Sequence, residues 1–286
     1  MIWYVLLLLI VLALLFPLLL RGRVHNPACA AFDGWVYAHR GCYDPTGTEP
    51  IPENSCPAFR RAVEQGVGVE LDVHLLADGG LAVIHDSKLA RMTGQALLVE
   101  DLTTEQLADC HLAGTEETIP TFAQVLDILG GKVPVIIELK VHNGNQAPLC
   151  RAVCKAMEGY PGPYCMESFD PFAVRWLRKN RPDIVRGQLS ENFAKSETQV
   201  KLPGPLAFGG SYLLLNPLTR PDFIAYRFGD RANLSNRICL DLWGMRGASW
   251  TIHNQDELDA ARREDLWPIY EGFVPDAEPA VWEETV

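Results

Sequence analysis

The chain has 286 residues, 48% of them hydrophobic and 21% charged, with 23 glycines and 20 prolines. That balance excludes a disordered, collagen-like or disulfide-scaffold chain. With 25 Lys+Arg against 36 Asp+Glu the net charge is −11, which argues against nucleic acid as a partner and against a basic patch docking on anionic lipid.

The first predicted element is the uncharged run from Ile2 to Leu20. At about 1.5 Å per helical residue it spans roughly 28 Å, close to the hydrocarbon core of a bilayer, and Pro17 lies near its end. A cleaved signal peptide is the alternative, with Ala28-Cys29-Ala30 as a small-x-small step. No basic residue precedes the run, however, and it exceeds an ordinary signal core of about 7–15 residues. We read 1–23 as an uncleaved single-pass anchor in the cell membrane. Arg21 and Arg23 follow the apolar run with nothing basic before it, so the positive-inside rule puts the rest of the chain on the cytoplasmic side. The eight cysteines show no metal-knuckle or redox spacing, and Cys150 and Cys154 share one face of a predicted helix as small buried hydrophobes.

Residues 24–34 read as a linker, and 35–286 as one catalytic-sized body. A strand at 36–38 leads into His39-Arg40-Gly41. Residues 53–65 have helical apolar spacing, with Gly66 as C-cap. A strand follows at 67–75, then an extended run at 81–84 that ends on His85-Asp86. Helix is expected at 121–129 and a nearly all-apolar strand at 133–139, as in a parallel sheet covered on both faces. The alternation continues with helix at 150–157, strand at 164–168, helix at 172–179 and strand at 184–189. A poorly defined stretch reaches Arg220. Strand 223–226, helix 234–243, strand 248–252, helix 256–263 and strand 268–274 complete the chain. Such alternation predicts a (β/α)₈ barrel. An open doubly wound sheet is second, and the chain lacks the glycine fingerprint of a dinucleotide-binding one.

Barrel chemistry sits at the C-terminal ends of strands. His39 and Arg40 close the first strand. Glu70 and Asp72 are two apart on the next, so their side chains share a face. His85 and Asp86 end an extended run, and Glu138 and Lys140 end the run VIIELK. Singly, each is compatible with a hydrogen-bonded or solvated strand end. Carboxylates converging on one barrel mouth would repel one another, and a hard divalent cation relieves that repulsion. Together these residues suit metal-assisted phosphoryl chemistry, with histidines moving protons and Arg40 and Lys140 neutralising charge.

The segments AHRG (38–41), PENS (52–55), VELDVHLLADGGLAVIHDSKLARMTG (69–94), VEDLTTEQL (99–107), IPTFAQVLDIL (119–129) and VPVIIELK (133–140) occur in this order. With the fainter ESF (167–169) and SWTIHN (249–254), the set resembles the glycerophosphodiester phosphodiesterase family. The resemblance implies a TIM barrel with a small insertion after the second strand, here about 87–119. It implies Glu70, Asp72 and Glu138 as ligands of one divalent cation, Mg²⁺ or Ca²⁺, and His39 and His85 as the general acid and base. It implies Arg40 and Lys140 as phosphate contacts, Asn54 as a residue holding the site, and Phe169 and Trp250 along the glycerol and alcohol side. The implied reaction is hydrolysis of a glycerophosphodiester to sn-glycerol 3-phosphate and an alcohol. The alternative on the same barrel is a phospholipase D-like reaction on lysophospholipids or sphingomyelin. Leu76 departs from the family's usual Thr, the segment PIYEGFVPD follows the pattern loosely, and the tail after Asp276 is short for an eighth helix.

Overall fold

The structure is a computed structural model and describes residues 2–195 and 203–276. Among these are nine strands: β1 (Tyr37–His39), β2 (Gly68–Leu75), β3 (Leu81–Val83), β4 (Val135–Leu139), β5 (Tyr164–Ser168), β6 (Val185–Ser190), β7 (Phe223–Arg227), β8 (Arg246–Ile252) and β9 (Leu266–Tyr270). All but β3 are parallel, and the ring closes because β1 pairs with both β2 and β9. The chain is therefore a closed (β/α)₈ barrel. β4 is buried at every position, as a strand between interior side chains and outer helices must be.

Among the described residues ten α-helices precede, cover or connect the strands: α1 (Ile2–Leu20), α2 (Cys56–Gln65), α3 (Ala90–Thr93), α4 (Phe122–Leu129), α5 (Gln146–Ala156), α6 (Pro171–Asn180), α7 (Gly204–Ser211), α8 (Asn216–Thr219), α9 (Leu234–Arg237) and α10 (Gln255–Arg263). Their ends follow local chemistry. The Ser55 hydroxyl accepts from Ala58 N at the start of α2, and Gly66 ends the helix in a left-handed conformation. Thr121 and Gln124 form a reciprocal capping box at the start of α4, a motif worth about 0.5–2 kcal/mol. The helix read at 234–243 is α9 followed by a π-turn over Ile238–Leu242. The stretch before Arg220 that showed no clear pattern holds α7 and α8. The question of an eighth helix falls on 277–286, outside the described residues.

The extended run at 81–84 is not a barrel strand. β3 pairs antiparallel with β2, because the short Ala77–Gly80 turn can join a hairpin but not the crossover of a dozen or more residues that parallel strands require. The insertion that follows has its own small core, which includes Leu89, Val99, Leu107 and Ile119.

Residues 24–34, expected as a linker, carry a 3₁₀ turn over Pro27–Phe32 capped by Asn26. Phe32 is fully buried with its ring 5.2 Å from that of Trp267, and its carbonyl accepts from the Tyr37 hydroxyl at 2.8 Å. The reason is the apolar content of PACAAF, which plugs the barrel floor.

The end of α1 is also packed. Leu20 is fully buried in a cluster with Leu213, Ile224, Tyr226, Cys239 and Met245. Trp243 Nε1 donates to the Pro17 carbonyl at 2.7 Å and Asn216 Nδ2 to the Leu20 carbonyl at 2.7 Å. Barrel side chains thus satisfy carbonyls that a helix end otherwise leaves open. Arg23 then pairs with the buried Asp222. Leu20→Ala should lower the stability of the full-length chain by about 2–5 kcal/mol, the range for a truncated buried leucine. Thermal unfolding in detergent checks this, and an unchanged midpoint would place Leu20 outside the core.

Candidate active site

Strand register builds the site. His39 lies opposite Glu70 across β1 and β2, Asp72 opposite Glu138 across β2 and β4, and Glu138 opposite Glu167 across β4 and β5. Four acids therefore stand on neighbouring strands inside the barrel, all buried. Carboxylate oxygens of Glu70, Asp72 and Glu138 lie within 4.8 Å of one another.

The loop after β1 turns sharply. Arg40 has φ +57° and Gly41 φ +79°, and a Cβ on Gly41 would sit 3.0 Å from the Ala58 backbone. Glycine is required there by both strain and space. The turn lets the Arg40 backbone N–H donate to Glu70 Oε2 at 3.3 Å and brings its guanidinium to Glu53 at 2.9 Å and Asp72 at 3.7 Å. Asn54, also at positive φ, donates from Nδ2 to Asp72 Oδ2 at 2.8 Å. Lys140 Nζ lies 2.7 Å from Glu138 Oε2 and 2.9 Å from Asp72 Oδ1.

Burial would raise the Asp72 carboxyl, but Lys140, His85 and Arg40 outweigh it and hold it well below the ordinary range. For Glu70 and Glu167 the opposing charge of Lys140 is outweighed. Burial, with the neighbouring acids, pushes both well up, and buried Glu167 Oε2 has no hydrogen-bond partner among the described residues. All the donors in this cluster are oxygens, and the acids outnumber the cations beside them. That is the environment in which a hard divalent cation is favourable, so the residues fit one.

The histidines reach the cavity from different strands, His39 at the end of β1 and His85 after β3. His39 Nε2 is 3.8 Å from Glu70, while its Nδ1 is 2.6 Å from Glu271 Oε2, just past β9. Burial and then Arg40 lower the His39 pKa against the raising effect of Glu271. Glu271 also accepts from the Tyr43 hydroxyl at 3.0 Å, and these donors overcome burial to bring its carboxyl down to about 2. His85, following β3, has Nδ1 2.7 Å from Asp86 Oδ1. Burial and Lys140 bring it down to about 4. Arg91 of α3 bridges Asp86 and Glu53, and His74 Nε2 holds the His85 carbonyl at 3.2 Å.

A cavity of about 340 Å³ opens over these groups, lined by residues that include His39, Arg40, Glu70, His85, Glu138, Phe169 and Trp250. Phe169 and Trp250 meet edge to face at 5.6 Å, and Phe193 joins Phe169 at 6.0 Å. Nine of the ten residues singled out in the sequence either line this cavity or contact a residue that lines it through an ion pair. Asn54 stands behind Asp72. Glu53, Glu167 and Glu271 were not among those candidates. Glu53 lies inside the PENS segment and Glu167 inside ESF, two signals that were available. Glu271, a single acid beyond an apolar strand, has no local signal.

The family model for the glycerophosphoryl diester phosphodiesterase family matches residues 39–264. The chain belongs to that family. Among family relatives, a glycerophosphodiester phosphodiesterase of Caldanaerobacter subterraneus subsp. tengcongensis is 33% identical over 166 residues, 54% of this chain and 65% of the relative. A Rattus norvegicus protein named lysophospholipase D is 32% identical over 119 residues, 37% of this chain and 36% of the relative. The chain thus spans less than two thirds of the length of these curated relatives. Among solved structures, a phosphodiesterase of Oleispira antarctica in complex with the product sn-glycerol-3-phosphate is similar with TM-score 0.67 and 21% identity, covering 85% of this chain and 94% of that one. A glycerophosphodiester phosphodiesterase of Thermotoga maritima is similar with TM-score 0.60 and 23% identity over 82% of this chain and 93% of that one. At these identities the likeness is one of fold.

Proposed function

We propose that this family member hydrolyses glycerophosphodiesters to sn-glycerol 3-phosphate and an alcohol at the barrel mouth. The observation that carries the reading is the buried Glu70–Asp72–Glu138 cluster flanked by His39 and His85. Glu70, Asp72 and Glu138 would hold one Mg²⁺ or Ca²⁺. Such a cation neutralises charge on phosphate oxygens and polarises the phosphorus centre. Arg40 and Lys140 supply further positive charge to the phosphate, Asn54 fixes Asp72, and the histidines take and give the protons. Phe169 and Trp250 form the apolar side against which the organic groups pack.

The test is turnover of glycerophosphocholine, glycerophosphoethanolamine and glycerophosphoinositol by the full chain in detergent, with and without chelator. Release of glycerol 3-phosphate is expected. No turnover of any diester with Mg²⁺, Ca²⁺ or Mn²⁺ would overturn the reading. The Phe169–Phe193–Trp250 wall favours a second substrate class, lysophospholipids cleaved in the phospholipase D sense. A higher kcat/KM on lysophosphatidylcholine than on glycerophosphocholine would select it.

Glu271 is a positioning residue for His39, which it holds through Nδ1. Glu271→Gln is expected to lower kcat by about 10–100-fold, as loss of such supporting partners typically does, with little change in KM. Glu271→Asp should recover part of the loss. A rise in KM alone would assign Glu271 to substrate binding instead.

The reading of α1 as an anchor, with the barrel on the cytoplasmic side, rests on its length, its mean hydropathy of 2.9 and its packed end. The chain should keep its N-terminus and resist carbonate extraction. A soluble product beginning near Ala31 would show a signal peptide. An impermeant thiol reagent applied to intact cells tests the side, and labelling of Cys42 or Cys56 would reverse it.

A further inference from the structure

The outer helices of the barrel are not alike. α6 and α10 carry Arg175, Arg178 and Lys179 and Asp256, Arg262 and Arg263 respectively, the usual solvated exterior. From Leu202 to Thr219 no residue is charged, and this stretch contains α7 and α8. Part of its apolar surface faces outward while Ala207 and Leu213 are buried: Leu206 and Phe208 are each 58% exposed and Leu215 is 42% exposed. The π-turn adjoins α8 through the Asn216–Cys239 contact, and its end exposes Leu242 by 60% next to Asp241, whose charge is paired with Arg237. Scattered exposed leucines need no explanation, but a run of them on adjoining elements marks a contact surface.

The occupant is indicated by where α1 ends. Its last turn packs between α8 and the π-turn, with Phe16 and Leu20 against Leu213, Leu214 and Met245. Trp243 closes this seat, with the Arg21 guanidinium 5.0 Å from its ring. Tryptophan and arginine at the end of a spanning helix are the side chains that settle at headgroup depth. Arg21 and Arg220 are exposed beside it, and neither has an ion-pair partner among the described residues. Arg23 is pinned to Asp222 directly after, so no free tether separates the helix from the barrel.

We infer that the flank formed by α7, α8 and the α9 π-turn lies on the bilayer, with Leu206, Phe208 and Leu215 at the boundary between acyl chains and headgroups. The inference rests on the reading of α1 as an anchor. It gives the barrel a fixed seat on the membrane. α7 also backs the aromatic side of the cavity, because Gly210 packs directly on the Phe193 ring.

The test is photo-crosslinking of the full chain in phosphatidylcholine–phosphatidylglycerol vesicles doped with a phosphatidylcholine bearing a diazirine on its acyl chain. Labelled peptides are then mapped by mass spectrometry. Lipid adducts are expected within 2–20 and also within 203–219 and 234–243. In Leu206→Glu/Phe208→Glu the flank adducts should fall several-fold while those on 2–20 persist. Circular dichroism of that variant reports whether the fold is kept. Adducts on 2–20 alone overturn the inference and leave the anchor standing. Flank adducts that survive in the folded double variant also overturn it, since those side chains would then not make the contact. No adducts on 2–20 would remove the anchor reading and the inference with it.

Discussion

Excess EDTA is expected to bring glycerophosphodiester turnover down to the uncatalysed level, and Mg²⁺ or Ca²⁺ to restore it. Glu70 and Glu138 are raised by burial as the protein stands. Oxygen donors alone favour these hard cations over zinc, which prefers nitrogen and sulfur. Asp72→Asn keeps the volume and removes one charge from the cluster, and turnover should fall by about 10²–10³-fold, the cost of losing one preorganised electrostatic group. Titration calorimetry should show one bound cation in the parent chain and weaker binding in the variant. Full activity in excess chelator would overturn the metal-dependent reading.

His39→Ala and His85→Ala should each lower kcat by about 10²–10⁴-fold, the usual contribution of one general acid or base. Cation affinity should stay close to that of the parent, since neither histidine belongs to the carboxylate cluster. If both act in one step, the double variant should lose much less than the product of the single losses. A substrate with a good leaving group should partly rescue whichever variant lacks the acid, because its departing oxygen needs no proton. Turnover within about threefold of the parent in either variant would place proton transfer elsewhere. Equivalent changes at His74 and His253 should be milder. His74 reaches the His85 backbone and Glu100, and His253 is exposed at the mouth.

The barrel was legible because its strands are short apolar runs that cannot be satisfied in solution. β5 runs from Tyr164 to Ser168 as its sequence predicts, and VIIEL has the all-apolar flank of a strand covered on both faces. The acids at 70, 72 and 138 were legible for the complementary reason that charge inside such runs demands a partner. What escaped depends on contacts between distant parts of the chain. Glu271 gains its meaning only when β9 closes beside β1, and Arg91 meets Glu53 only after the insertion folds back over the mouth. The seat of α1 joins Leu20 to Asn216 and Cys239, a link no local pattern reveals. The β2–β3 hairpin was legible in principle from Asp78-Gly79-Gly80, a turn too short for a crossover.

The small core of the insertion has a consequence for inactivation by heat. His85 stands on the chain segment entering the insertion, and Arg91 of the insertion orients the Asp86 that holds it. The insertion's own cluster is far smaller than the core beneath the barrel helices, so it should open locally at a lower free energy than the whole molecule. Activity would then disappear on warming while the barrel is still intact, and return on cooling without refolding. Amide exchange would show it directly, with 89–119 losing protection ahead of β4 and β5.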